Sequence, residues 1–532
     1  MMQSQRLRHW FASGDALLLP LVTLAFFWQL GTPALFDLDE GAFSAATWEM
    51  FQRGDFITTF LNGEPRFDKP ILIYWLQALS VWSFGLQEWT LRLPSALAAS
   101  AWVIATYYFA KPRMSQRSAI MASVMVACSA MIVLVGRAAT ADALLNLLIV
   151  LSLFDIWRYW EQPRQRVLLR IFGWLGLGFL CKGPIAVAVP FVVSGALYLL
   201  HGQWRQWLQT LLHPWGLLLF IAIALPWYVL EYLAQGQAFI DGFFFKHNLS
   251  RFSDTMEGHG GSVVYYLIAL PFIILPFSGL LPRLFKRLPR LLQQPWQRFL
   301  WVWFGFVLVF FSFSNTQLPH YLLYGITPLL LLLAQYTGEN LNRWLAVLPA
   351  LFIALVCIFL PELLAFAVQQ DPSAYHAGLL EQAQTALGLR YRSLAVLYTA
   401  ALLWLLWWSK LDGFTRLGAV AMLQTLFLTG VLIPLAAHIQ QSPVKAAAQF
   451  ARQHLANAQI VMDSIDMPSF TVYRQHVTPR RPPKIGEYVF TDLNYLQSAH
   501  SKPHSETSST TTQPQFQVVF QQGGVVIAQR MQ

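Results

Sequence analysis

Two carboxylates stand side by side at Asp39-Glu40, directly after the first long apolar stretch and at the head of a helical pattern from Gly41 to Phe51. A carboxylate there has three uses: a general base, a metal ligand or a helix cap. Asp68-Lys69-Pro70 follows, just ahead of a second apolar helical pattern. A lysine beside a membrane surface binds a lipid phosphate as a point charge, or snorkels to anchor its helix. Arg137 and Asp142 lie at a junction between two apolar stretches. Ionisable groups cost about 2.5–3.5 kcal/mol each at the bilayer centre and less toward the interface, and a structural ion pair accounts for these two as well as a binding role does. Lys182 in CKGP, His247 and Arg251 in KHNLSRF, and His320-Tyr321 in NTQLPHYLLY complete the set. A lone histidine is more often a satisfied structural residue than a ligand. Taken together, carboxylates and several cationic donors suit a polyanionic lipid head group, and carboxylates near a phosphate also suit a divalent cation. No His/Cys spacing points to zinc, and no glycine-rich phosphate loop follows a strand, so nucleotide binding has no support.

The elements that must position these residues are membrane helices. Of 532 residues, 56% are hydrophobic and 12% charged, against roughly 25% charged in a soluble domain. Soluble enzyme domains, disordered tails and nucleic-acid-binding domains fit poorly. Cys128, Cys181 and Cys357 all lie in apolar runs and act as small hydrophobes. A bilayer-spanning helix needs about 20 mostly apolar residues. Thirteen such stretches are expected, near 15–30, 93–110, 118–135, 141–159, 168–181, 184–201, 214–233, 262–282, 298–314, 320–336, 343–365, 393–409 and 416–436. The first has Pro20 within it and no small-residue cleavage pattern after Leu30, so it reads as a retained span.

Lysine and arginine set the orientation. With the amino terminus in the cytoplasm, 18 of the 36 basic residues fall on the cytoplasmic side, 10 in the outer loops and 8 in the final segment. The net charge of +10 is then mainly a topology signal, with no need of nucleic acid. The candidate residues all fall on the outer face, although Lys69, Arg137, Lys182 and Arg251 contribute to that count themselves.

Two regions break the membrane pattern. Residues 31–92 form a long outer loop holding 8 of the 26 acidic residues and two helical patterns, around 40–53 and 70–84. The second, rich in Trp and Tyr, is expected to lie in the membrane interface. Residues 438–532 are expected to form a small α/β domain after a membrane domain of residues 1–437. Its signs are a helical stretch (VKAAAQFARQHL), a strand-like run (AQIVMDSI), a low-complexity loop and a closing hairpin that turns at Gly523-Gly524.

The run DLDEGAFSAATWEMFQRGDFITTFLNGEPRFDKPILIYWL resembles the first periplasmic loop of the ArnT and protein O-mannosyltransferase group of GT-C glycosyltransferases (glycosyltransferase families 39 and 83). The matching features are Asp39-Glu40, Gly54-Asp55-Phe56 and Asp68-Lys69-Pro70. The likeness continues through RAATADALL, CKGP, HNLSRF and LPHYLL, over residues 30–335. It implies a mainly α polytopic protein of thirteen transmembrane helices with periplasmic juxtamembrane helices and a periplasmic domain, in a bacterial inner membrane. The implied chemistry is transfer of a sugar from a polyprenyl phosphate to a lipid, glycan or protein acceptor outside the cytoplasm.

By the same resemblance Asp39 and Asp142 take the catalytic acidic positions and Lys69 the position near the lipid phosphate, with Lys182, Arg251 and Tyr321 as further contacts to phosphate or acceptor. Glu40, Asp68, Arg137, His247 and His320 are candidates for substrate binding. Two positions depart from the family pattern. Asp68-Lys69-Pro70-Ile71 replaces EKPP, and Gln317 stands where a lysine is common, which weakens lipid A in particular as the acceptor. A transporter or flippase of lipid-linked sugars would use the same charged cleft without making bonds, but no internal repeat of the kind such proteins carry is evident. A scaffold whose tail binds a partner would leave the acidic loop unexplained.

Overall fold

The hydrocarbon core offers no water to backbone groups, so apolar runs long enough to cross it satisfy themselves as helices. The computed structural model describes residues 15–249, 261–337, 341–370, 373–501 and 515–531, and is predominantly helical. Among the described residues five helices are long and apolar enough to span a membrane unbroken: Glu88–Ala110, Asp142–Glu161, Pro214–Gln235, Leu389–Trp407 and Gly413–Gln440. Three bent pairs bring the number to eight if each is one span. Length and composition in the structure therefore do not reach the expected thirteen, although every apolar stretch named above falls on helical backbone. Shorter apolar helices, including Leu18–Phe27, Ile185–Leu200 and Pro319–Ala334, make up part of the difference.

The bends have local causes. The helix Gln116–Cys128 breaks from Ala130–Arg137 by 59°. There the Ala130 N–H leaves its own ladder and donates to the Leu275 carbonyl at 3.0 Å. Pro276 lies in the 114° break between Tyr265–Ile273 and Phe277–Lys286, where it has no N–H to carry a helix through. Helix starts are capped where the sequence offers an acceptor: Asn342 accepts from the Trp344 N–H at 3.0 Å and Asp412 from the Thr415 N–H at 3.0 Å.

The first loop folds as two helices and a small hairpin. Asp39–Arg53 and Leu72–Phe84 are the expected pair. Between them β1 (Phe60–Leu61) and β2 (Glu64–Pro65) pair antiparallel, a feature the sequence did not announce. Leu72–Phe84 buries Ile73, Tyr74, Gln77 and Ala78 and leaves Trp75, Leu79, Trp82 and Phe84 exposed, the pattern of a helix lying on an apolar medium. Gln77 locks it in place, accepting from the Thr47 hydroxyl at 2.7 Å and donating to the Ala139 carbonyl at 3.0 Å. A further helix, Ala374–Ala386, occupies what reads in sequence as an outer loop.

Beyond Gln440 the helix Ser442–His454 leads into a four-stranded sheet. Its strands are β3 (Ile460–Met462), β4 (Tyr488–Asp492), β5 (Phe516–Gln522) and β6 (Val525–Arg530), in the order β3-β4-β6-β5. β3 runs parallel to β4, and the other pairs are antiparallel. The β5–β6 hairpin turns at Gly523-Gly524, where Gly523 takes φ +55°. This sheet and its helices sit against the Asp39–Arg53 helix through the short helix Ser469–Arg474.

Candidate active site

Asp39 opens its helix at the wall of a cavity of about 490 Å³. It is exposed and makes no hydrogen bond or ion pair among the described residues. Its neighbour Glu40 has the opposite fate. The Glu40 carboxylate is buried and accepts four hydrogen bonds, two from Arg92 and one each from the backbone N–H groups of Phe36 and Ala139. Glu40 borders the same cavity, with its oxygens engaged in holding the loop. Successive helical residues point about 100° apart, so Asp39 stays exposed at the cavity while Glu40, on the same wall, is buried against Arg92.

Asp142, at the first turn of Asp142–Glu161, borders the same cavity. Its Oδ1 accepts from the Lys182 ammonium at 2.5 Å and lies 3.8 Å from Nε2 of His320. Lys182 ends its own helix, Gln165–Lys182, where a cation complements the helix dipole. It also donates to the Tyr324 hydroxyl at 3.2 Å and lies 5.6 Å from the centre of the Tyr321 ring. His320 lines the cavity within electrostatic reach of Asp142, Lys182, Asp39 and Lys69. Five of the sequence candidates, from four separate segments, thus meet at one place.

The remaining candidates divide. Lys69 pairs with Asp68 at 2.7 Å, and Asp68 also accepts from Arg66 at 3.0 Å. Asp68 therefore orients cations. Arg137 borders the cavity but donates to the carbonyls of Ala25 and Trp28, tying the bent helix to the first span. Arg251 lies outside the described residues, as does the side chain of His247. Among the described residues no three His, Cys, Asp or Glu side chains converge as a metal-holding group.

Three participants escaped the sequence reading. Arg66, in PRFDK, has its side chain largely buried and feels the charges of Asp68 and Asp39, which hold its guanidinium charged against the cost of burial. Its signal was a third charge two positions before Asp68. Tyr324 lies one turn beyond Tyr321 on the same helical face. Asp37 also lines the cavity, with its carboxylate bound by Ser469 from the C-terminal sheet region, a contact no spacing announces. Burial pushes the Asp37 carboxyl up to about 7, helped by the charges of Asp466 and Glu40 and opposed by the Ser469 hydrogen bonds.

Comparison with known proteins places these features. The family described as dolichyl-phosphate-mannose-protein mannosyltransferase matches residues 68–229. An uncharacterized protein of Aquifex aeolicus is 31% identical over 353 residues, which is 65% of this chain and 78% of that protein. The undecaprenyl phosphate-alpha-4-amino-4-deoxy-L-arabinose arabinosyl transferase of Yersinia enterocolitica is 29% identical over 62% of this chain. That alignment spans 60% of the arabinosyl transferase's own length. The crystal structure of ArnT from Cupriavidus metallidurans bound to undecaprenyl phosphate superposes over 97% of both chains, with a TM-score of 0.79 at 18% identity.

A mainly α polytopic fold with a charged cleft under juxtamembrane helices defines a membrane glycosyltransferase of GT-C type. Within that class, the chain belongs to the ArnT and protein O-mannosyltransferase group.

Proposed function

We propose that this chain is an inverting glycosyltransferase that moves a sugar from a polyprenyl phosphate to an acceptor hydroxyl in the cleft beneath the Asp39–Arg53 helix. The observation that carries the reading is the contrast between Asp39 and its neighbours. Asp39 faces the cavity with no hydrogen-bond or ion-pair partner among the described residues, while the cations around it are held in place by Asp142 and Asp68.

A glycosyl phosphate contains a good leaving group, so the protein must orient and stabilise charge more than supply a strong acid. The acceptor oxygen forms a bond to the anomeric carbon from the face opposite the phosphate. As the carbon–oxygen bond to phosphate breaks, its electron pair leaves on the polyprenyl phosphate. Lys69, Arg66 and Lys182 offset the growing charge there, and the acceptor proton passes to Asp39. Asp142 keeps Lys182 extended toward the site and limits where His320 can lie. Bond making, rather than movement of an intact lipid-linked sugar, is favoured by the glycosyltransferase family to which the chain belongs.

The cavity wall supports a reading of the acceptor class. Besides the charged groups, the wall carries Leu134, Val135, Leu428, Leu432 and Ile433. An amphipathic acceptor with lipid chains suits that wall better than a wholly polar glycan or an extended peptide. The basic-residue distribution supports a cytoplasmic amino terminus, with the cleft and the C-terminal sheet on the periplasmic side of the inner membrane.

The test is incubation of purified protein with polyprenyl-phosphate sugars and envelope lipids. Release of polyprenyl phosphate with appearance of a glycosylated lipid is expected. Movement of intact donor across vesicles without cleavage would favour the flippase instead.

A further inference from the structure

Asp37 and Ser469 are 432 residues apart in sequence and joined by two hydrogen bonds. The Ser469 N–H donates to Oδ1 at 2.9 Å and the hydroxyl to Oδ2 at 2.5 Å. The contact crosses the first turn of the Asp39–Arg53 helix at Gly41. A Cβ on Gly41 would lie 1.8 Å from the Asp37 carboxylate and 2.9 Å from the Ser469 nitrogen, so only glycine leaves room for the crossing.

Four residues further on, Tyr473 accepts from the Leu35 N–H at 2.8 Å and donates to Glu88 at 3.2 Å. Lys445 closes this second point, 2.5 Å from Glu88 and stacked over the Tyr473 ring. Leu35, Ala45, Leu91, Ala139 and Val472 pack into one apolar cluster between the two points. The C-terminal region thus grips the chain on the amino-terminal side of Asp39, at residues 35 and 37, and it does so at the cavity wall.

We propose that Asp37, Ser469 and Tyr473 are positioning residues, through which the C-terminal sheet region fixes the direction of Asp39 in the cleft. This rests on the reading of Asp39 as the group that takes the acceptor proton. Donor binding depends on Lys69, Lys182 and Arg66, which the grip does not touch. Loosening it therefore lowers kcat and leaves the donor KM in place.

The test uses full-length protein in lipid nanodiscs, with donor turnover and amide hydrogen exchange as parallel readouts. Ser469→Ala and Asp37→Ala are expected to lower kcat at least tenfold with donor KM within twofold, and to speed exchange over residues 36–42. Asp37→Asn still accepts from the Ser469 N–H and is expected to recover most of what Asp37→Ala loses. Thr471→Val is the structural control. It removes a buried hydrogen bond from Thr471 to Asn62 in the same interface, away from the cavity. It is expected to lower the melting temperature without the kcat effect.

Equal kcat losses in Thr471→Val and Ser469→Ala would overturn the proposal, as would a Ser469→Ala enzyme with full kcat. If wild-type protein turns over no polyprenyl-phosphate sugar, the transfer reading fails. Faster exchange over 36–42 in Ser469→Ala but not in Thr471→Val would still establish the grip.

Discussion

Arg92 meets Glu40 in a two-point ion pair beneath Asp39, with Nε to Oε1 at 2.7 Å and Nη2 to Oε2 at 2.8 Å. All five guanidinium N–H groups are used, because Arg92 also donates to the carbonyls of Leu30, Pro33 and Ala34. The pair joins the end of the first span, the helix that starts at Asp39 and, through the Ala139 N–H, the turn that delivers Asp142. Both carboxylates of the proposed reaction therefore hang from one buried charge pair.

Removing one member of such a pair leaves the other charged and buried, at a cost of about 3–5 kcal/mol. Glu40→Gln and Arg92→Met should each lower stability by about that amount. Arg92→Lys should not rescue, since an ammonium cannot reproduce a five-donor fork. Chemical denaturation in detergent measures this, and a wild-type midpoint in Glu40→Gln would contradict it.

Asp39→Asn should insert and fold like the wild type, because Asp39 is exposed and makes no hydrogen bond or ion pair among the described residues, and should lose turnover by roughly 10²–10⁴-fold, the usual contribution of a general base. Donor affinity, measured by binding of polyprenyl phosphate, should be unchanged. Full activity in the variant would remove Asp39 from the mechanism.

Asp142 and Lys182 should behave as one unit. Asp142→Asn and Lys182→Met are each expected to lower turnover sharply, and the double variant should be little worse than either single one, as expected for groups in direct contact. Additive losses would mean that the two act separately.

Stability at the buried Asp37 site should fall with rising pH, although the Ser469 hydrogen bonds themselves favour the ionised carboxylate. The Asp37 carboxyl is raised from the usual 3.8 to about 7, so the folded state binds a proton that the unfolded chain has released. The stabilisation is complete below the usual value and is lost as pH rises through about 7. Asp466, Glu40 and the Tyr375 hydroxyl are the titratable groups that feel Asp37. Melting of wild type and Asp37→Asn across pH 5–8, compared at each pH, should show wild-type stability falling toward the alkaline end while the variant stays flatter. Parallel profiles would contradict this.

Widening a side chain on the apolar wall should separate donor from acceptor. Leu432→Trp should lower transfer to a lipid acceptor while leaving polyprenyl phosphate binding intact, because Leu432 belongs to the apolar part of the cavity wall. Quantifying glycolipid product by mass spectrometry reads the outcome, and unchanged product would argue against a lipid chain on that wall.

Sequence by itself determined the membrane class, the helices and the gathering of acidic residues in one loop. These follow from local chemistry: an apolar run long enough to span a bilayer has no other way to satisfy its backbone, and charge is too scarce in this chain to be spread without purpose. It also named Asp39, Asp142, Lys182, His320 and Tyr321, which the fold brings together. Tertiary structure decided what sequence could not. Asp39 and Glu40 are indistinguishable as adjacent carboxylates, and only the packing of Arg92 buries one in an ion pair and leaves the other exposed at the cavity. Asp37 and Ser469 meet across almost the whole chain. No pattern of period or spacing encodes such a pairing, because it depends on where two separately folded segments come to rest against each other.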